Sequence, residues 1–173
     1  ALVSARYPRI SSIAPISTKD TLFHSFTLFL YEFIHFVLHF TSYSPQESTS
    51  SVLKSVDTVA VYFSASWCGP CQKFTPELAK FYNEMRSRGK KFEVVWVSSD
   101  RSQDEFLAYY QKMPWLAVPL GALNTVRQKL SPMYNVRGIP HLVILDATDD
   151  ASVITLNGKE SVMRDPYGLE FPW

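Results

Sequence analysis

Cys68 and Cys71 are the only cysteines in a chain of 173 residues, and they lie in the run Trp67-Cys68-Gly69-Pro70-Cys71. Two thiols at this spacing are typical of a redox pair. A structural disulfide is the weaker interpretation, because the loop it would close is tiny and the entropic gain grows with loop length. A structural zinc site needs four ligands, whereas the chain offers two cysteines and four scattered histidines. We therefore predict a reactive dithiol and no metal.

Two predicted elements position this pair. The β-branched and aromatic residues of 59–63 indicate a buried strand over 58–64, and apolar side chains at helical spacing indicate a helix over 69–88. Cys68 would lie where strand gives way to helix, where the helix N-terminus favours a thiolate and lowers the pKa of its thiol. Cys71, about one turn later, would face inward. Pro76 lies inside this helix and is expected to kink it.

Further strands and helices are predicted downstream. Residues 92–98 form a second buried strand, and Ser102 caps a helix that runs to about Lys112. We expect Phe106, Leu107 and Tyr110 to form the core face of this helix. The other predicted elements are an apolar loop at 113–119, a helix at 122–130, and a hairpin of strands 141–146 and 152–156. The order β-α-β-α-(α)-β-β-α predicts an α/β fold with a mixed central sheet and helices on both faces.

Composition predicts one folded domain, residues 51–173, preceded by a leader, residues 1–50. A chain of 173 residues with 46% hydrophobic side chains can bury one core. The net charge of +1 and the scattered basic residues argue against nucleic acid as a partner.

The leader divides into three parts. Residues 1–20 have the composition of a flexible, mildly basic tail. Residues 22–40 repeat phenylalanine and aliphatic residues at helical spacing, which predicts an amphipathic or hydrophobic helix. Residues 44–50 are rich in serine with one proline, as in a linker.

The function of the predicted leader helix stays open. Three interpretations are compatible with its sequence. The helix is a signal or membrane anchor, or it is an amphipathic helix that packs on the domain or a partner, or it belongs to a segment foreign to the mature protein. Glu32 lies in its middle and makes a membrane span unfavourable, so membrane contact is not the favoured interpretation. Glu32, His35 and His39 share one predicted face; we interpret them as a polar stripe rather than a metal triad.

A second motif follows the dithiol at Gly138-Ile139-Pro140. A strand, CxxC, a helix with an internal proline and this Ile-Pro dipeptide together resemble the thioredoxin fold. The pentapeptide 67–71 matches the thioredoxin active-site motif, and Ile139-Pro140 matches the family's cis-proline dipeptide. Residues 62–67, 97–102, 113–119 and 170–173 resemble the nucleoredoxin and tryparedoxin branch, a similarity that covers roughly 52–173.

The resemblance implies a thiol–disulfide oxidoreductase that reduces protein disulfides without a metal or organic cofactor. The catalytic residues would be Cys68 and Cys71. The supporting and substrate-binding residues it implies are Trp67, Gly69, Pro70, Ile139 and Pro140. A reductase or a small thiol would supply electrons, and a potential on the order of −200 to −270 mV would favour reduction. The expected location is cytoplasmic, with the nucleus as an alternative, and secretory or membrane-anchored if the leader is a signal.

Three positions depart from the family pattern. Gly69-Pro70 replaces the Pro-Pro usual in the branch, and Tyr62 stands where thioredoxins carry a buried aspartate. Arg101 follows the second strand where tryparedoxins have acids, which argues against a polyamine-linked electron donor. His141 begins a strand beside the Ile-Pro dipeptide, and we interpret it as a packed or rim residue that is placed to modulate Cys68.

Two other functions remain compatible with the sequence. In the first, the same disulfide switches the binding of a partner, and turnover is incidental. In the second, the leader tethers the redox domain to a membrane.

Overall fold

Five strands form one mixed sheet in the computed structural model, which describes residues 55–148 and 151–173. The strands are β1 (Thr58–Ser64), β2 (Phe92–Ser98), β3 (Leu116–Ala117), β4 (His141–Asp146) and β5 (Ser152–Thr155). Their spatial order is β3-β2-β1-β4-β5. β1, β2 and β3 run parallel, whereas β4 is antiparallel to β1 and β5 is antiparallel to β4. The predicted mixed sheet is confirmed.

In the part of the chain that the structure describes, four helices are connected to these strands. They are α1 (Gly69–Ser87), α2 (Gln103–Tyr110), α3 (Leu123–Met133) and α4 (Gly158–Arg164), and a short 3-10 turn (Leu120–Ala122) precedes α3. α1 is one continuous helix through Pro76, and the bend expected at that proline stays a prediction.

The central strand β1 is buried along its whole length because it has strands on both sides and helices on both faces. Tyr62 faces α1, where its ring meets Phe74 at a centroid distance of 5.8 Å. The neighbouring residue Phe63 points to the opposite face, as successive strand residues do. There it contacts His141, which hydrogen-bonds the main chain of Tyr134 at the end of α3. α1 and α3 therefore cover opposite faces of the sheet.

The core face expected for α2 was wrong in one position. Leu107 is 45% exposed, whereas Tyr109 is buried beside Phe106. Positions three and four apart share a helix face, so Phe106 groups with Tyr109 and Tyr110, and Leu107 points to solvent. The helix also ends at Tyr110 rather than near residue 112.

The stretch expected to be an apolar loop, 113–119, contains strand β3. Leu116 pairs with Val95 and Ala117 with Trp96, which extends the sheet by one short parallel strand. Two residues between prolines are too few for a period-2 pattern to be recognised in the sequence.

One carboxylate is buried on β2. Glu93 is 4% exposed; its Oε1 accepts the Val94 N–H at 2.9 Å and its Oε2 accepts the Tyr82 hydroxyl at 3.2 Å. The Arg86 guanidinium lies 3.8 Å away. Burial, the largest effect, raises the pKa of Glu93, and these contacts lower it only in part.

The C-terminal segment is held to α1 by one carboxylate and one aromatic stack. Asp165 accepts the main-chain N–H groups of Leu169 and Glu170, each at 2.9 Å, and the indole N–H of Trp173 at 3.1 Å. The Trp173 ring stacks on Phe81 at 5.3 Å.

The leader 1–50, with its predicted helix at 22–40 and the Glu32, His35 and His39 stripe, lies outside the described residues. Within the described ranges, none of the helices has the length and apolar content that crossing a bilayer requires.

Candidate active site

Cys68 is the N-cap residue of α1, directly before the first helical residue, Gly69. Its backbone is extended (φ −88°, ψ 105°), and its Sγ accepts the main-chain N–H of Cys71 at 3.2 Å. The first turn of a helix has N–H groups without helical partners and carries partial positive charge. Pro70 fits this turn because it has no N–H to leave unpaired. A negative sulfur at Cys68 is therefore stabilised more than a neutral one.

The two sulfurs form a disulfide, with Cα atoms 5.2 Å apart. Cys71 is fully buried, as expected for its place one turn into the helix, whereas Cys68 keeps 6% exposure. Together with Ala65 they form a small apolar cluster apart from the main core. An attacking group can therefore reach the disulfide only from the side of Cys68.

Trp67 is an exposed side chain at the edge of the site. Half of its surface is accessible, and its indole N–H donates to the main-chain carbonyl of Ser99 at 3.1 Å. The Arg101 guanidinium lies over the ring, 5.3 Å from its centroid. The loop after β2 thus supports the active-site loop through Trp67.

Ile139 and Pro140 border the disulfide on the side away from Trp67. The peptide bond between them is cis, as predicted from the sequence. The Ile139 carbonyl oxygen is 3.6 Å from Cys68 Sγ, and the Ile139 side chain packs on the cluster of the two cysteines. The fold therefore brings together two motifs that are about seventy residues apart in sequence.

A chain of hydroxyl groups lies beneath the site. Thr75, one turn after Cys71 in α1, bonds the Tyr62 hydroxyl at 2.9 Å and the Tyr109 hydroxyl at 2.6 Å. Burial is the largest effect on both phenols and raises the pKa of Tyr62 and of Tyr109. Both are neutral hydroxyls at physiological pH, so neither replaces a buried aspartate as a base.

His141 is half-buried at the start of β4, with its ring 6.2 Å from that of Phe63. Burial lowers the pKa of the imidazole, and its hydrogen bond to Tyr134 and the charge of Glu160 oppose this only in part. Its Nε2 has no hydrogen-bond partner among the described residues. This arrangement is that of a packed, neutral histidine.

A model of the thioredoxin-like family matches residues 56–151, which is more than half of the chain. The chain belongs to the thioredoxin-like family. Its relatives include nucleoredoxins and tryparedoxins. Nucleoredoxin from Xenopus laevis is 44% identical over 128 residues, which are 74% of this chain but only 30% of that protein. Tryparedoxin from Trypanosoma brucei brucei is 46% identical over 116 residues, which are 67% of this chain and 78% of that protein.

Solved structures of thioredoxin-like proteins agree with the fold. Tryparedoxin I from Crithidia fasciculata superposes with a TM-score of 0.66 at 43% identity, over 73% of this chain and 85% of that one. A tryparedoxin II complexed with glutathionylspermidine gives a TM-score of 0.67 at 38% identity, over 76% and 88% of the two chains. The chain spans less than a third of the Xenopus nucleoredoxin, and most of each tryparedoxin.

Two features of this thioredoxin-like site were not predicted. Asp100 Oδ1 accepts the Ser66 N–H at 2.7 Å, and its Oδ2 accepts the Ser98 hydroxyl at 2.8 Å. The only sequence signal for this bond is an aspartate just after a strand, which is common at helix starts. The Thr75 hydroxyl chain has no sequence signal, because its members come from three separate elements.

Proposed function

We propose that this chain is a thiol–disulfide oxidoreductase that reduces disulfides in proteins, with Cys68 as nucleophile and Cys71 as resolving thiol. One observation carries the proposal: Cys68 Sγ sits at the N-terminus of α1 and accepts the Cys71 N–H, whereas Cys71 is fully buried. The first cysteine is stabilised as a thiolate and can be reached, and the second is held in position behind it.

The reaction transfers two electrons in two exchange steps. The Cys68 thiolate attacks one sulfur of the substrate disulfide, a mixed disulfide forms, and the other substrate sulfur leaves as a thiolate. Cys71 then loses its proton and attacks Cys68 Sγ, which releases the second substrate thiolate and leaves the Cys68–Cys71 disulfide. Two protons end on the substrate thiols, so the substrate is reduced and the dithiol is oxidised.

Residues around the disulfide would hold the substrate. Ile139 and Pro140 offer main-chain groups beside Cys68, along which an extended segment can pair as an added strand. Trp67 would cover the other side of the nucleophile, and Gly69 and Pro70 would keep the first helical turn in place.

The proton of Cys71 needs an acceptor other than the tyrosines below it. The high pKa values of Tyr62 and Tyr109 keep both phenols protonated. The first leaving thiolate of the substrate, formed next to the mixed disulfide, is the base that we infer for this step.

A donor must return the dithiol to its reduced form after each cycle. A reductase or a small thiol would do so in the cytoplasm, where thiols are kept reduced. The solved tryparedoxin II complex contains glutathionylspermidine, so small thiols are the first class to test.

Insulin reduction by the full chain tests the proposal. With dithiothreitol as reductant, the wild-type protein should precipitate the insulin B chain well above the rate of dithiothreitol alone, and Cys68→Ser should fall to that background. A background rate for both proteins would contradict the proposal and favour a redox-switched binding protein.

A further inference from the structure

A positive charge is held beside the reactive sulfur. Arg101 is exposed, and its guanidinium lies 5.3 Å from the centroid of the half-exposed Trp67 ring. Trp67 is the chain neighbour of Cys68, so a molecule that approaches the sulfur across the Trp67 ring meets this charge. A cation over an indole is attracted by the negative face of the ring, which favours this side-chain position.

Hydrogen bonds fix the loop that carries Arg101. The Trp67 indole N–H donates to the carbonyl of Ser99 at 3.1 Å, and the Ser66 N–H donates to Asp100 at 2.7 Å. Because both bonds join this loop to the active-site loop, the main chain of Arg101 keeps its place relative to Cys68, and the Trp67 ring favours one position of the guanidinium.

The carboxylates near Arg101 do not pair with its guanidinium. Asp100 accepts from Ser66 and Ser98, and Glu105 accepts the main-chain N–H of Arg101 at 2.9 Å. Throughout 55–148 and 151–173, the ion pairs found leave this guanidinium without a carboxylate. Its donors remain available to an incoming molecule.

We propose that Arg101 is a specificity-determining residue that binds a carboxylate flanking the sulfur that reacts at Cys68. A guanidinium presents a planar fork of N–H donors that matches a carboxylate. Peptide thiols and disulfides with free carboxylates are favoured, and those bearing ammonium groups are disfavoured. This inference rests on the proposed exchange chemistry at Cys68.

Three small disulfides allow the effect of charge to be measured at nearly constant size, because each has two carbons between the sulfur and its end group. They are 3,3′-dithiodipropionate, bis(2-hydroxyethyl) disulfide and cystamine, which are anionic, neutral and cationic. The full chain is reduced with dithiothreitol, desalted and mixed with each probe. In each reaction the Cys68–Cys71 dithiol becomes the disulfide, and the probe becomes two thiols that carry the two protons. Alkylation at timed intervals and mass spectrometry give the rate constants.

The measured quantity is the ratio of the rate constants for the anionic and cationic probes. Two unit charges several ångströms apart in solvent-exposed surroundings change a rate about threefold, and because the changes for the anionic and cationic probes are opposite, their ratio changes about tenfold. We expect Arg101→Gln to lower the ratio about tenfold, Arg101→Glu to lower it further, and Arg101→Lys to stay closer to wild type than Arg101→Gln. Lys73 and Arg137 lie near the two motifs in sequence and add positive charge, so the ratio for Arg101→Gln need not reach one.

Lys90→Glu is the matched control for Arg101→Glu because it replaces a positive charge by a negative one just past the far end of α1. Lys90 is exposed, and the 19 residues of α1 separate it from the disulfide by about 28 Å. Raising the salt concentration should lower the wild-type ratio toward that of Arg101→Gln, and Lys90→Glu should keep the wild-type ratio at every salt concentration.

Three outcomes would overturn the inference. The ratio is unchanged in Arg101→Gln and Arg101→Glu, Lys90→Glu shifts it as much as Arg101→Glu, or Arg101→Lys loses as much as Arg101→Gln. In each of these cases reduction of the neutral probe still supports the exchange chemistry. If the reduced wild-type protein reacts with none of the probes, the proposed function fails together with this inference.

Discussion

Thr75 is the best place to test how the buried hydroxyl chain supports the active-site helix. Its hydroxyl is the link between two phenols, Tyr62 at 2.9 Å and Tyr109 at 2.6 Å, and Thr75 itself is 1% exposed. Thr75→Val keeps the side-chain shape and removes this link. Tyr62→Phe removes one end of the chain and leaves the bond between Thr75 and Tyr109.

The expected costs follow from the bonds left without a partner. A buried polar group that loses its partner costs about 1–3 kcal/mol. The Ser64 hydroxyl also hydrogen-bonds both phenols, so it limits the loss when Thr75 is replaced. We expect Thr75→Val to lower the free energy of unfolding by about 2 kcal/mol and Tyr62→Phe by about 1 kcal/mol. Because the two changes break a shared bond, the double variant should cost less than the sum by about 1 kcal/mol.

Urea unfolding at equilibrium, followed by far-UV circular dichroism, measures these values if the slope with urea is the same for all four proteins. Additive costs, within about 0.3 kcal/mol, would show that the hydroxyls do not act as one chain. Insulin reduction by Tyr62→Phe should stay close to wild type. A large loss there would mean that the tyrosine takes part in proton transfer after all.

Three further predictions concern the thiols, a buried acid and two glycines. Cys71→Ser should accumulate mixed disulfides between Cys68 and protein substrates on non-reducing gels; if none form, the roles of the two cysteines are misassigned. Burial raises the pKa of Glu93 above its ordinary value of 4.5, so the unfolded chain loses this proton first as pH rises. Wild-type stability in urea should therefore fall relative to Glu93→Gln from about that pH up to the folded pKa, and a constant difference would contradict this. Gly168 and Gly89 both have positive φ, +60° and +71°, but a Cβ at Gly168 would lie 2.6 Å from a methionine sulfur of α1, whereas one at Gly89 meets nothing within 4 Å. Gly89→Ala should cost about 1 kcal/mol in urea unfolding and Gly168→Ala about 3 kcal/mol, and equal costs would show that the methionine moves aside freely.

The elements around the dithiol were predictable because their patterns are long and consistent. Strand β1 matches the predicted 58–64, and α1 ends one residue before the predicted 88. β1 lies between two strands and two layers of helices, so most of its residues are β-branched or aromatic. The strand can therefore be recognised from a continuous apolar run, without an alternation of apolar and polar residues. In α1 the apolar spacing continues over five turns.

Short elements gave the errors. Two turns of α2 do not fix the phase of its apolar face, so Leu107 was placed in the expected core face and Tyr109 was not. In fact Tyr109 supplies a hydroxyl to the chain beneath the site. Strand β3 has two residues, and its pairing with β2 depends on tertiary structure rather than on its own sequence.

The motif residues were predicted from the sequence, but their surroundings were not. Cys68, Cys71, Ile139 and Pro140 come together as the resemblance implied. The bond between Asp100 and the Ser66 N–H joins residues that are 34 apart. No local pattern specifies such a contact, since the same aspartate would serve equally well as an exposed helix cap.

These contacts also indicate where the electrostatic control of the site lies. The groups beneath the disulfide are hydroxyls whose raised pKa values keep them uncharged, and His141 is kept neutral by burial. Asp100, the carboxylate tied to the active-site loop, is engaged by a main-chain N–H and a serine hydroxyl. We infer that a thiolate at Cys68 and the choice of its partners depend on the N-terminus of α1 and on the basic side chains near the site, among which Arg101 lies over Trp67. The first acts on every substrate alike, so discrimination by charge falls to the second.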